Sequence, residues 1–110
     1  MAVDEISIVE LAQRMRNGTS DLRVIDVRED HEYIAGHIPG AVNVPLSRIV
    51  DSVDAFRGEG DLFVVCQMGG RSAKACEFIL QYGVVSTNVA GGTAGWIDLG
   101  EAVVEGSNPE

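Results

Sequence analysis

Lysine is almost missing from this chain: Lys74 is the sole example among 110 residues. Eight basic residues stand against seventeen acidic ones, for a formal charge of −9. That balance argues against nucleic acids and anionic membranes as partners, because both are bound mainly through Lys and Arg. No apolar run approaches the ~18 residues that a membrane span requires. The opening Met1-Ala2-Val3-Asp4-Glu5 lacks a basic stretch followed by an apolar block, so no secretory signal is expected. The two cysteines, Cys66 and Cys76, are too few for a disulfide framework, and reduced thiols in a cytoplasm are the expectation. With only two histidines, and neither C-x-x-C nor H-x-x-x-H spacing, no metal site and no cofactor are expected. Repeats, linkers and low-complexity blocks are absent as well. The chain therefore reads as one domain over residues 1–104, with 105–110 as a flexible tail.

Within that domain, short β-rich runs alternate with helical patterns, separated by Gly or Pro. Ser7-Ile8-Val9-Glu10 has capping-box spacing, and Ile8, Leu11, Ala12 and Met15 recur with helical period until Asn17-Gly18. Leu22–Val27 reads as a strand, Glu29–Ala35 as one or two helical turns, and Ala41–Val44 as a short strand stopped by Pro45. Ser47–Phe56 is expected to be helical. Leu62–Val65 has the composition of a central strand buried on both faces. Arg71–Tyr82 is a helix whose apolar face carries Ala73, Cys76, Ile79 and Leu80; Val84–Val89 is a last strand. Such alternation implies an α/β fold with right-handed crossovers and a central, mainly parallel sheet of about five strands, with helices on both faces. Ligands of such sheets bind beyond the carboxyl ends of the strands, where Asp26, Val44, Cys66 and Val89 are expected to gather.

Of these, Cys66 can carry the chemistry. It stands where the apolar run stops and a glycine-rich turn begins, Cys66-Gln67-Met68-Gly69-Gly70-Arg71-Ser72. Thiolate is the reactive form of cysteine, and at a pKa of about 8.5 only about 3% is ionised at neutral pH. A helix starting near Gly70 aims its free N–H groups and positive dipole end at this sulfur. The dipole contributes at most ~2 kcal/mol, or roughly one and a half pKa units, so further inward-facing amides must form a nest for the anion. The charges point the same way. Arg71 and Lys74 occupy a helix start where acidic residues are normally favoured, and from Leu62 to Cys76 there is no carboxylate. An electropositive mouth on an acidic protein is the expectation, suited to a small anionic substrate.

The loop does not stand alone. Val24-Ile25-Asp26-Val27-Arg28, then Gly36-His37-Ile38-Pro39-Gly40-Ala41-Val42-Asn43-Val44-Pro45, the Cys66–Ser72 loop and Gly91-Gly92-Thr93-Ala94-Gly95-Trp96 follow one another. Together, in this order, they make nearly the whole chain resemble a single-domain rhodanese. The resemblance implies a rhodanese-like parallel α/β sheet and sulfurtransferase activity of the thiosulfate sulfurtransferase type. In that reaction Cys66 takes sulfane sulfur from a small anionic donor such as thiosulfate, and passes it to cyanide, a small thiol or a protein acceptor. Gln67, Met68, Gly69, Gly70 and Arg71 would bind substrate, mainly through backbone amides around a Cys66 persulfide. The alternative it leaves is a sulfur-carrier or docking module acting mainly on a protein partner. Cysteine phosphatases and arsenate reductases of related form use a longer ring than the six residues from Cys66 to Arg71, so that activity is disfavoured. A monomer or homodimer is compatible with the sequence.

Other residues read as supports. Cys76, ten positions after Cys66 on a helix face, lies beyond the ~7 Å Cα separation of a disulfide and is expected to be a buried structural cysteine. His37 is expected to anchor its turn by a hydrogen bond, and Asp26 with Arg28 to brace neighbouring loops. Trp96 reads as a core or pocket-wall aromatic, and Met68 as an adaptable contact for an incoming partner. Gly95, where the resemblance leads to expect a bulkier stretch, would loosen the pocket wall.

Overall fold

The structure, a computed structural model, describes residues 3–18 and 21–110. Five strands, β1 Asp4–Ser7, β2 Leu22–Asp26, β3 Val42–Asn43, β4 Asp61–Val65 and β5 Thr87–Ala90, make one sheet in the order β1-β5-β4-β2-β3. All pairings within it are parallel. The helices are α1 Ile8–Arg16, α2 Asp30–Ala35, α3 Gly70–Leu80 and α4 Gly92–Asp98. In β4 the two-residue period of a strand divides the side chains between two cores. Leu62 and Val64 join Ile25, Ala75, Cys76 and Ile79 beneath α3, whereas Phe63 and Val65 join Val24, Leu11, Tyr33 and Trp96 beneath α1, α2 and α4. Both faces of the sheet are thereby covered, which is why β4 is apolar at every position after Asp61.

Most element boundaries fall within two residues of the sequence reading, and the departures have local causes. β1 was not anticipated. Asp4-Glu5-Ile6-Ser7 is mostly polar because an edge strand exposed to water needs little apolar surface; it is held by its pairing with β5. The expected helix over 47–56 is two 3₁₀ segments, Leu46–Asp51 and Val53–Phe56. Ser52 separates them, its hydroxyl donating to the Arg48 carbonyl at 2.7 Å, among β-branched Ile49, Val50 and Val53 that disfavour a continuous helix. Ser7 caps α1 as its spacing implied, accepting from the Glu10 N–H at 3.1 Å.

The turn after α2 is pinned by His37, which is fully buried. Its Nδ1 lies 2.9 Å from the Tyr33 carbonyl and its ring stacks on Tyr33 with centroids 3.6 Å apart. Residues 105–110, expected as a loose tail, lie across this turn. Val104 and His37 exchange both backbone hydrogen bonds at 2.9 Å, and Gly40 N–H donates to the Pro109 carbonyl at 2.9 Å.

Gly95 does the reverse of loosening a wall. A Cβ at this position would lie 2.9 Å from Ile8 Cγ2, so the absence of a side chain is what lets α1 and α4 pack together. Gly95→Ala should therefore lower stability by about 1–3 kcal/mol despite its better helix propensity. In an Ile8→Ala background, itself about 2–5 kcal/mol less stable, the same change should become neutral or stabilising. Urea unfolding of the two single variants and the double variant measures this coupling, and simple additivity would contradict the contact.

Candidate active site: the Cys66 loop

Parallel pairing of β2, β4 and β5 brings Asp26, Cys66 and Ala90 to one edge of the sheet. Beyond that edge the loop leaves β4 at Cys66 and enters α3 at Gly70. Its carbonyls are held from outside by the start of α4. Thr93 N–H donates to the Cys66 carbonyl at 2.9 Å, Ala94 N–H to Gln67 at 3.0 Å and Gly91 N–H to Met68 at 3.3 Å. Helix starts carry unpaired donors, and here the loop supplies their acceptors. In a trans peptide the N–H points opposite to its carbonyl, so carbonyls fixed outward leave the following amides facing inward. Gly69 N–H accordingly donates to Cys66 Sγ at 3.1 Å. Met68 and Ser72 N–H groups are also turned on the sulfur. This approach leaves no space at Gly92, where a Cβ would meet the Cys66 carbonyl oxygen at 2.4 Å. Gly69 supplies the left-handed turn, with φ 121°.

Cys66 is 1% exposed. Burial pushes its thiol up, but the Ser72 hydroxyl and the amides of Ser72, Gly69 and Met68 outweigh it and hold the pKa below the ordinary thiol value. Cys76, also buried and free, behaves oppositely: burial drives it up to about 11. The two thiols differ in hydrogen-bond donors far more than in depth. An inward amide nest over a buried thiol suits an anionic sulfur that meets one terminal atom of a substrate.

The loop is also tied to its neighbours. Asp26 and Arg28 form a buried bidentate pair, Nε to Oδ1 at 3.1 Å and Nη2 to Oδ2 at 2.9 Å. Arg28 reaches on to the Gly36 carbonyl at 2.8 Å and to Gln67 Oε1 at 3.1 Å. This is the brace expected of the pair, and it ties the Gln67 side chain to Arg28. Met68 is 74% exposed, and Gly70 opens α3 at the surface.

Arg71 does not stand alone at the mouth of the loop. Its guanidinium is paired with Glu32 of α2, Nη1 to Oε1 at 2.7 Å and Nη2 to Oε2 at 2.9 Å. The local sequence holds no carboxylate, but the fold brings one in, so the mouth is less electropositive than Arg71 and Lys74 alone implied. Lys74 is exposed on α3. The inward amides, not net charge, are what the loop offers an anion.

The rhodanese-like domain family model matches residues 7–99. The chain belongs to that family. A sulfurtransferase of Allochromatium vinosum is 31% identical over 103 residues, covering 93% of this chain and 95% of its own. The chloroplastic thiosulfate sulfurtransferase 16 of Arabidopsis thaliana is 33% identical over 91 residues, 71% of this chain and 76% of its own. The crystal structure of a rhodanese-related protein from Thermoplasma volcanium superposes with a TM-score of 0.79 at 32% identity, covering 92% of this chain and 97% of that one. The family and the parallel α/β fold expected from the sequence are both borne out. Among the described residues no group of metal-ligating side chains converges, and no helix is long and apolar enough to cross a membrane.

Three side chains at this rhodanese-like site escaped the sequence reading: Glu32, Asn88 and Glu5. Asn88 carried a weak signal, as a residue type depleted in strands inside the expected strand; the other two are acidic residues among seventeen. Pairing with Arg71 holds the Glu32 carboxyl down to about 2. A carboxylate held low stabilises the fold fully above its unfolded pKa and loses that contribution as pH falls through the folded one. The stability gap between the wild type and Glu32→Gln should thus be widest above about pH 4.5 and close toward pH 2. Thermal midpoints across that window test the pairing, and a gap independent of pH would refute it.

Proposed function

We propose that this protein is a sulfurtransferase in which Cys66 carries sulfane sulfur from thiosulfate, or another persulfide donor, to a small thiol, cyanide or a protein acceptor. The observation that carries this reading is the Cys66 sulfur, buried at the bottom of the loop with Gly69 N–H 3.1 Å away and further amides facing it. The Cys66 thiolate attacks the outer sulfur of thiosulfate. A sulfur–sulfur bond forms to Cys66, the original one breaks, and sulfite departs with the bonding pair. The terminal sulfur of the persulfide then bears the negative charge, inside the same nest of amides. An acceptor thiolate or cyanide attacks that terminal sulfur, and Cys66 leaves as thiolate. Neither step needs a general base, because both nucleophiles arrive as anions, and His37 and His31 take no part.

Two features bear on the neighbouring readings. Arg71 is committed to Glu32, which argues against the phosphoryl-binding role that arginine has in cysteine phosphatases. The exposed Met68 side chain at the loop favours a protein acceptor or donor alongside small molecules, since a flexible thioether adapts to varied surfaces. Gln67, Met68, Gly69, Gly70 and Arg71 would hold the substrate chiefly through their backbone.

Reduced protein incubated with thiosulfate, glutathione persulfide or mercaptopyruvate should gain the mass of one sulfur atom. Cys66→Ser should abolish the gain, whereas Cys76→Ser should retain it. No gain with any of the three donors would sink the enzyme reading.

A further inference from the structure

Behind the Cys66 sulfur runs a chain of polar side chains that the transfer steps do not use. Ser72, in the first turn of α3 and fully buried, has Oγ 3.3 Å from Cys66 Sγ, 3.2 Å from the Gly69 carbonyl and 2.5 Å from Asn88 Oδ1. A serine hydroxyl has a single proton for these three acceptors. Asn88, on β5 and 3% exposed, decides among them. Its Nδ2 donates to Glu5 Oε2 at 3.1 Å and to the Gly69 carbonyl at 3.2 Å. Both of those partners can only accept, so the amide nitrogen must face them and Oδ1 must face Ser72. A reversed carboxamide would set its oxygen against a carboxylate and a carbonyl. Oδ1 has no proton to give, so Ser72 donates to it while Cys66 is a thiol. The lone pairs of Ser72 are then left for the Cys66 S–H.

Ionisation of Cys66 inverts this demand, because a thiolate offers no proton and becomes a strong acceptor. We propose that Asn88 is a positioning residue that competes with the Cys66 sulfur for the Ser72 hydroxyl proton, with Glu5 of β1 fixing its carboxamide. Resting on the sulfurtransfer reading above, the proposal gives the hydroxyl a role in both half-reactions. When the persulfide forms, charge moves to the terminal sulfur and the proton returns to Asn88. When the acceptor attacks, charge grows again on Cys66 Sγ and the proton swings back to stabilise the leaving thiolate. Asn88 keeps the hydroxyl satisfied whenever Sγ is neutral, and thereby limits how far Ser72 stabilises the thiolate at rest.

The pH dependence of Cys66 alkylation by iodoacetamide tests this in the Cys76→Ser background. Ser72→Ala should move the midpoint up, because the thiolate loses a donor. Asn88→Leu should move it down, because the hydroxyl is freed for sulfur; each shift is up to about one pH unit, tenfold in the ionisation equilibrium. Opposite signs are the mark of competition, since mere loosening of the loop would raise both. Glu5→Ala, which leaves the Gly69 carbonyl alone to hold the carboxamide and so loosens its orientation, should shift the midpoint further down than Glu5→Gln, which removes the charge but keeps an acceptor. The Glu5 pair decides the matter if Asn88→Leu does not fold. An upward shift in Asn88→Leu, or equal midpoints for the two Glu5 variants, would overturn the proposal. Alkylation requires no sulfur donor, so failure of the mass assay with these opposed shifts intact would count against sulfur transfer alone.

Discussion

The site depends on where three carbonyls point. Because the backbone N–H groups of Gly91, Thr93 and Ala94 hold the carbonyls of Met68, Cys66 and Gln67, the Gly69 and Met68 amides that follow are turned toward the sulfur. A thiol buried at 1% exposure would otherwise be driven up by desolvation, as Cys76 is. The opposite behaviour of Cys66 comes from the Ser72 hydroxyl and amide at the start of α3, joined by the Gly69 and Met68 amides that the α4 start orients. Gly92 is the condition for that contact, since any side chain there would occupy the space of the Cys66 and Gln67 carbonyl oxygens. The glycine pair after β5 is thus as much a part of the Cys66 site as the glycine pair after Cys66.

Charge plays a secondary and largely self-cancelling part. Each arginine beside the loop brings its own carboxylate: Arg28 with Asp26 inside, Arg71 with Glu32 at the rim. The buried pair is an anchor, and removing one partner of such a pair typically costs about 3–5 kcal/mol because the other is left uncompensated. Its hydrogen bonds to Gly36 and Gln67 join the α2–β3 turn to the loop, so the structural and reactive segments share a common support. The rim pair is partly exposed and holds α2 against the first turn of α3. An acidic chain can in this way keep an anion-compatible site without a strongly positive surface.

The sequence was most legible where one periodicity or one glycine decides the outcome. The apolar run of β4, the stripe of α1 and the Ser7 cap are short-range features, and the strands that followed from alternation do meet at one edge. Cys66 was found because a thiol between a buried strand and a glycine turn has few structural explanations. What escaped depended on contacts between residues far apart in the chain. Glu32 and Arg71 are separated by 39 positions, and Glu5 and Asn88 by 83. The absence of carboxylates near Cys66 was real in sequence and misleading in space. β1 was missed because an edge strand paired on one side carries too little apolar surface to announce itself. Gly95 suggests a loosened pocket wall in sequence and makes a close helix contact in space, because the Ile8 methyl that fills its space comes from another helix.

Met68 separates two duties that usually fall on one residue. Its carbonyl is bound to Gly91 and its N–H faces the sulfur, yet its side chain stands 74% exposed. Any non-proline residue able to adopt the same backbone would preserve the amide nest, while the surface shown to a visitor would change completely. Selection on recognition and selection on reactivity can then proceed almost independently at one position. A loop built this way can present a new surface by single substitutions, with the Cys66 thiol and its amides passing through each intermediate unaltered.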